Sequence, residues 1–170
     1  NAIGVDLYLR MLDEAVHELK GEPAKPEVRT VLNLGVDIKI PESYISDERQ
    51  RLRIYKRIST LTTAEARADM ESELIDRYGP VPLSVKRLLS YAIVKSRAEQ
   101  LLVQTIERKD DELRLRFHDQ TPVSPEKLKL LLAARQEAAF HPDGLLRIRL
   151  PKRGADVLEH VENVLLELQA

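Results

Sequence analysis

Asp69, Glu73 and Asp76 recur at intervals of four and three residues, and Arg77 follows directly. On a helix those intervals set three carboxylates on one face with a guanidinium at its edge. The chemistry open to such a face is recognition of complementary charge on a partner. A plainer use exists: Glu73 and Arg77 stand at i and i+4 in the favourable order and can pair weakly with each other.

A second pattern is basic. Arg114 and Arg116 alternate with Leu113, Leu115 and Phe117. Arg147 and Arg149 alternate with Leu146, Ile148 and Leu150, and Lys152 and Arg153 follow. If the two stretches share a sheet, four arginines lie on one side of it. Between Val103 and Arg153 eleven Lys and Arg face eight Asp and Glu, a surplus of three positive charges. Phosphate contact is one use of such a face. The other is a solvated sheet surface crossed by ion pairs, which the small surplus and the scarcity of stacking aromatics favour.

Reaction chemistry finds little support. The paired acids Asp13-Glu14, Asp47-Glu48 and Asp110-Asp111 fit helix ends and turns, and nothing local drives two of their pKa values apart as acid–base work requires. His17, His118, His141 and His160 fall on four different expected elements, and none has a second ligand at metal spacing. The glycines are scattered, so no phosphate-cradling loop or dinucleotide fingerprint is present. No local motif joins a serine to a histidine and an acid. No catalytic residue, metal or cofactor is expected in this chain.

The acidic face needs a helix to carry it, and the surrounding residues specify one. Ala66, Met70, Leu74 and Tyr78 recur every fourth residue as its apolar stripe, and Thr62 or Thr63 caps its start. Gly79 takes the position after the last turn, and Pro80 and Pro82 prevent continuation. This helix is expected at the centre of a helical group. Before it, Ser46 is placed to cap a helix whose stripe is Ile54, Tyr55, Ile58 and Leu61. After it, Val85, Leu88, Leu89, Ala92 and Ser96 line a long helix from Pro82 to about Leu102.

Upstream, Val5, Leu9, Leu12, Val16 and Leu19 space a first helix ending at Gly21, and Glu22 to Glu27 forms a charged, proline-containing linker. Val28, Thr30, Leu32, Leu34, Val36, Ile38 and Ile40 alternate with mostly polar residues, which predicts a long strand, bent at Gly35. Downstream, Val103 to Arg108 and Leu113 to Phe117 flank a polar turn. Ser124-Pro125-Glu126 starts a helix striped by Leu128, Leu131 and Leu132. Ala138 to His141 and Leu145 to Leu150 flank Pro142-Asp143-Gly144, and Val157, Leu158, Val161, Val164, Leu165 and Leu168 space a terminal helix. The expected fold is α+β: a helical N-terminal half with one long early strand, then strand, strand, helix, strand, strand, helix.

Composition bounds the rest. Hydrophobic residues make up 43% and charged residues 32% of 170 residues, with aromatics at 4% and a net charge of −1. A chain of this length supports a core without disulfides or metals, and its charge balance argues against a grip on DNA by the domain as a whole. The absence of cysteine fits a reducing compartment. No apolar run approaches a membrane span. The start at Asn1, with helical spacing almost at once, is expected of a piece cut from a longer polypeptide, with Asn1-Ala2 native or a remnant of cloning.

Four blocks carry a resemblance. IGVDLYLRMLDEAVHELKG (Ile3 to Gly21), LNLGVDIKIPESYI (Leu32 to Ile45), ERQRLRIYKRI (Glu48 to Ile58) and ELIDRYGPVP (Glu73 to Pro82) resemble, in order, the C-terminal domain of bacterial transcription-repair coupling factor. The likeness is strong over Ile3 to Leu101 and continues beyond as a layout. It implies one regulatory domain over 1–170, with 1–21 as the connection from a motor lobe, 28–102 as a strand plus helical subdomain and 103–170 as an α+β subdomain. The parent it implies is an ATP-driven translocase on double-stranded DNA. That parent displaces stalled RNA polymerase and recruits UvrA in the bacterial cytoplasm, with ATP and Mg held in lobes outside this chain. The family's terminal domain folds back on an N-terminal UvrB-like module through an acid, a second acid three residues on, and the arginine beside it. Those positions are Glu73, Asp76 and Arg77. The resemblance implies no enzyme activity here, no membrane contact, and a monomer or weak self-association for the isolated piece. The rival expectation is a nucleic-acid-binding module using Arg114, Arg116, Arg147, Arg149, Lys152 and Arg153.

Overall fold

The computed structural model describes residues 26–151 and 156–169. The helix expected over Val5 to Leu19 and the basic residues Lys152 and Arg153 lie outside them. The described elements are β1 (Val31–Asn33), α1 (Glu48–Ser59), α2 (Ala64–Tyr78), α3 (Leu83–Gln100), β2 (Val103–Lys109), β3 (Glu112–Phe117), α4 (Pro125–Ala134), β4 (Ala139–Phe140), β5 (Leu145–Arg149) and α5 (Val157–Leu168). The fold is α+β, and its later half follows the expected strand, strand, helix, strand, strand, helix order.

The five strands form one sheet in the order β1-β2-β3-β5-β4. β1 runs parallel to β2, and the other pairings are antiparallel. Ile106, Leu113, Leu115, Leu146 and Ile148 point into a core completed by Val157, Leu158, Val161, Val164, Leu165 and Leu168 of α5. A register shift between Val103 and Thr105 lets Val103 and Ile106 both face inward at a spacing of three. Gly144 holds a φ of +92°, and a Cβ there would lie 2.8 Å from the Phe117 carbonyl oxygen, so this turn excludes larger residues.

A second core gathers Ile54 and Ile58 of α1, Met70 and Leu74 of α2, and Val85, Leu88, Leu89, Ala92 and Ile93 of α3. The central helix is α3 rather than α2: Val94 and Ala98, further along the same helix, belong to the sheet-side core. A stripe on each of two faces makes α3 the rod about which both cores are built.

The expected long strand is shorter than its pattern. Only Val31–Asn33 enters the sheet. The alternation nevertheless persists from Val28 to Ile40, with even positions turned inward and odd ones outward. At Gly35 the backbone takes φ +67° and leaves the ladder. Beyond it the segment crosses from one core to the other: Leu34 belongs to the sheet side and Ile40 to the helical side. The Ile40 amide donates to the Tyr55 hydroxyl at 2.6 Å, which anchors the crossing to α1.

Capping follows the sequence with small shifts. Thr63 caps α2 by accepting from the Ala66 amide, and Ser124 caps α4 by accepting from Lys127. Asp47, not Ser46, caps α1, because its carboxylate reaches the Gln50 amide at 3.0 Å. Pro82 is the residue before α3 rather than its first turn; its ψ of 156° is extended.

Candidate functional site: the outer face of α2

The Tyr44 hydroxyl bonds to the carbonyls of Leu74 and Gly79 at 3.2 and 2.9 Å, and its ring lies 5.8 Å from that of Tyr78. Gly79 ends the helix at φ +88°. With Met70 and Leu74 buried, the rotation of α2 is set, and Asp69, Asp76 and Arg77 stand exposed on its outer side with Glu73 half-buried beside them.

The structure thus brings Glu73, Asp76 and Arg77 onto one accessible face. Their pairing differs from the local i, i+4 expectation. Glu73 accepts a hydrogen bond from Arg57 at the end of α1, and that guanidinium holds its carboxyl below the usual range. Arg77 lies over the ring of its neighbour Tyr78, with the guanidinium carbon 5.0 Å from the centroid, a cation–π placement. Asp76 has no hydrogen bond or ion pair with the described residues. The face therefore offers a free carboxylate, a ring-steadied guanidinium and a carboxylate already engaged from behind. Sequence spacing along α2 contained no sign of Arg57, since its approach depends on how two helices pack.

The sheet arginines are placed differently. Arg114 and Arg147 are register partners on one face, as the alternation predicted. Each meets a carboxylate. Glu112 accepts from Arg147 Nε and Nη2 at 2.7 and 2.9 Å and from Arg114 Nε at 2.9 Å. These bonds, that of Arg147 first, bring the Glu112 carboxyl down to about 2. Arg149 pairs with Glu137 and with Asp111, and Arg116 reaches Asp143 at 3.5 Å.

Among the described residues no group of three His, Asp or Glu is arranged to hold a metal ion, and no helix is long and apolar enough to cross a membrane. A cleft of about 590 Å³ between α1 and α3 is lined by Arg29, Tyr55, Thr60, Tyr91, Lys95 and Glu99 among others. No histidine lines it.

A two-core α+β domain whose free chemistry is surface charge on a rigid helix is the class these features define. The TRCF domain family matches residues 34–128, more than half of the chain. The chain is 32% identical to the transcription-repair-coupling factor of Bacillus subtilis over 97% of its own length and 31% identical to that of Myxococcus xanthus over 98%. It spans 14% of the length of each of those proteins. It also superposes on a crystal structure of the C-terminal domain of transcription-repair coupling factor with a TM-score of 0.73 and 26% identity, covering 86% of this chain and 93% of that one. The chain belongs to the TRCF domain family.

Proposed function

We propose that this chain is a non-catalytic docking domain of a transcription-repair coupling factor, closing the parent through Glu73, Asp76 and Arg77 onto its N-terminal UvrB-like module. The parent in this reading is a bacterial, cytoplasmic, ATP-driven translocase on double-stranded DNA. It displaces stalled RNA polymerase and recruits UvrA, and closure hides the UvrA surface and restrains the motor. Nucleotide and magnesium belong to lobes outside this chain. The observation that carries the reading is the placement of the three residues on one outer face of a helix that Tyr44, Met70 and Leu74 hold in one orientation.

The energetics suit a reversible latch. Exposed ion pairs contribute about 0–1 kcal/mol each. A partner in the same polypeptide has an effective concentration reaching about millimolar, so a few such contacts close it. Opening from mostly closed to mostly open takes roughly 5.5 kcal/mol of differential binding, within reach of a large partner that prefers the open form. The sheet arginines support the rival phosphate-contact reading poorly, because each already meets a carboxylate of the same domain.

The test is charge reversal of Glu73 and Asp76 to Lys in the intact coupling factor. ATPase activity and UvrA binding both rise if the reading holds. Wild-type behaviour in both assays removes this face from the latch.

A further inference from the structure

α1 carries a second charged surface that the acidic face does not explain. Arg49, Arg53 and Lys56 follow one another at four and three residues on the side of α1 turned away from Ile54 and Ile58. All three are exposed, and none has an ion pair with the described residues. Arg53 has Arg49 four residues before it and Lys56 and Arg57 three and four after, so every helical neighbour of that kind is a cation except Gln50. Like charges at this spacing repel. Arg49 lies in the first turn, where the helix dipole disfavours a cation. Lys56, in the last turn, suits the dipole, but Arg49 and Arg53 bring the folding of α1 no such gain.

Leu52 sits inside it, three residues from Arg49 and four from Lys56, and is 61% exposed. An exposed leucine rimmed by three unpaired cations has the layout of a small apolar contact within a polar rim. α1 and α2 adjoin where Arg57 meets Glu73, so the basic stripe and the acidic face share one exterior. Nucleic acid fits this exterior poorly: a phosphate backbone attracted by α1 would be repelled by Asp69 and Asp76, and Leu52 would be wasted on it.

We propose that Arg49, Arg53 and Lys56, with Leu52 at their centre, form the second half of the docking surface, taking a protein face that presents an apolar pocket ringed by carboxylates. The inference rests on the docking reading and adds a requirement to it: the partner carries cations opposite α2 and carboxylates opposite α1. Such a two-signed match fixes orientation and rejects uniformly charged competitors.

The test uses the intact coupling factor, in which Arg49, Arg53 and Lys56 are reversed to Glu, alongside Glu73 and Asp76 reversed to Lys and a Leu52→Ser variant. A photo-crosslinking residue replaces Leu52 in a further sample, and thermal unfolding of each variant confirms that α1 remains folded. Release of the latch by the α1 reversal to within about twofold of the α2 reversal, with a crosslink at position 52 to an acidic patch elsewhere in the polypeptide, supports the proposal; three rim charges reach that size together. Release by the α2 reversal alone overturns it and leaves the docking reading standing. Release by neither removes both. If the α1 reversal instead abolishes low-salt binding of this chain to a 25-base-pair duplex and leaves the latch closed, the stripe is a phosphate contact and the proposal is wrong.

Discussion

The four sheet arginines and the charged outer faces of α1 and α2 use the same residue types in opposite ways. On the sheet, Glu112 draws together Arg114 and Arg147, Arg149 lies between Glu137 and Asp111, and Arg135 of the α4–α5 side pairs with Glu167. On the helical side, Arg49, Arg53, Lys56, Asp69 and Asp76 are exposed and unpaired among the described residues. Ion pairs on this side lie at its margins: Arg57 with Glu73 at the seam of α1 and α2, Arg51 with Glu42 ahead of α1, and Arg67 with Glu162 of α5. A charge neutralised at home stabilises its own sheet; a charge left open is available to a neighbour. Function therefore belongs with the helical side rather than with the four arginines of the sheet.

The contrast holds only if the two cores behave as one folded body, and the largest predicted effect tests that. Leu74 is fully buried in the helical core. Leu74→Ala is expected to cost about 2–5 kcal/mol. Because α3 contributes to both cores, the loss should appear as one cooperative urea transition seen alike by helix and sheet probes. Separate transitions would mean that each core folds alone.

A smaller loss is expected at the joint itself. Glu162 of α5 accepts from Arg67 of α2 at 3.1 Å and from Arg97 of α3 at 3.0 Å, with its side chain only 14% exposed. Glu162→Gln leaves two guanidinium groups facing a neutral amide and should cost about 1–3 kcal/mol, the partial solvent access keeping it below the fully buried range. The readout is the urea midpoint at unchanged slope. A neutral result would show that α3 alone couples the cores.

Much of this was legible in the residues, and the failures have physical causes. The stripes of α2, α4 and α5 and the caps Thr63 and Ser124 are local patterns, and they folded locally as they read. The alternation from Val28 to Ile40 reports which side is buried but not what buries it, so a segment running from one core to another looked like a strand. The fuller burial of α3 was readable in Ile93, Val94 and Ala98, which lie off the stripe of Val85, Leu88, Leu89, Ala92 and Ser96. The ion pairs were not readable: Arg57 to Glu73 and Arg67 to Glu162 join residues 16 and 95 positions apart. For the candidate face, spacing placed Glu73, Asp76 and Arg77 together, while the occupation of Glu73 depended on packing.

Acid separates the two surfaces next. The Glu112 carboxyl titrates at about 2 when folded, below its ordinary 4.5. A depressed carboxyl contributes stability that is complete above the unfolded value and is lost as pH falls toward the folded one. The sheet should therefore weaken between about pH 4.5 and pH 2, by no more than about 1 kcal/mol given the solvent around the pair. Glu112→Gln should flatten that limb of the stability–pH curve, leaving the share that Glu73 contributes through its bond from Arg57. An unchanged limb would take Glu112 out of the account.

The smallest effect is the sharpest test of the contrast because it turns on a sign. Arg147→Gln removes a guanidinium that donates twice to Glu112 and should lower stability. Arg53→Gln removes one that donates to nothing among the described residues and repels cations before and after it on α1. It should raise stability by roughly 0.2–0.5 kcal/mol for each repulsion relieved. The gain should shrink as salt is added, since screening weakens exposed charges first. Paired urea melts at low and high salt resolve both signs. A loss at Arg53 would mean that the α1 stripe is stabilising in its own right, and the difference between a satisfied sheet and an open helical face would disappear.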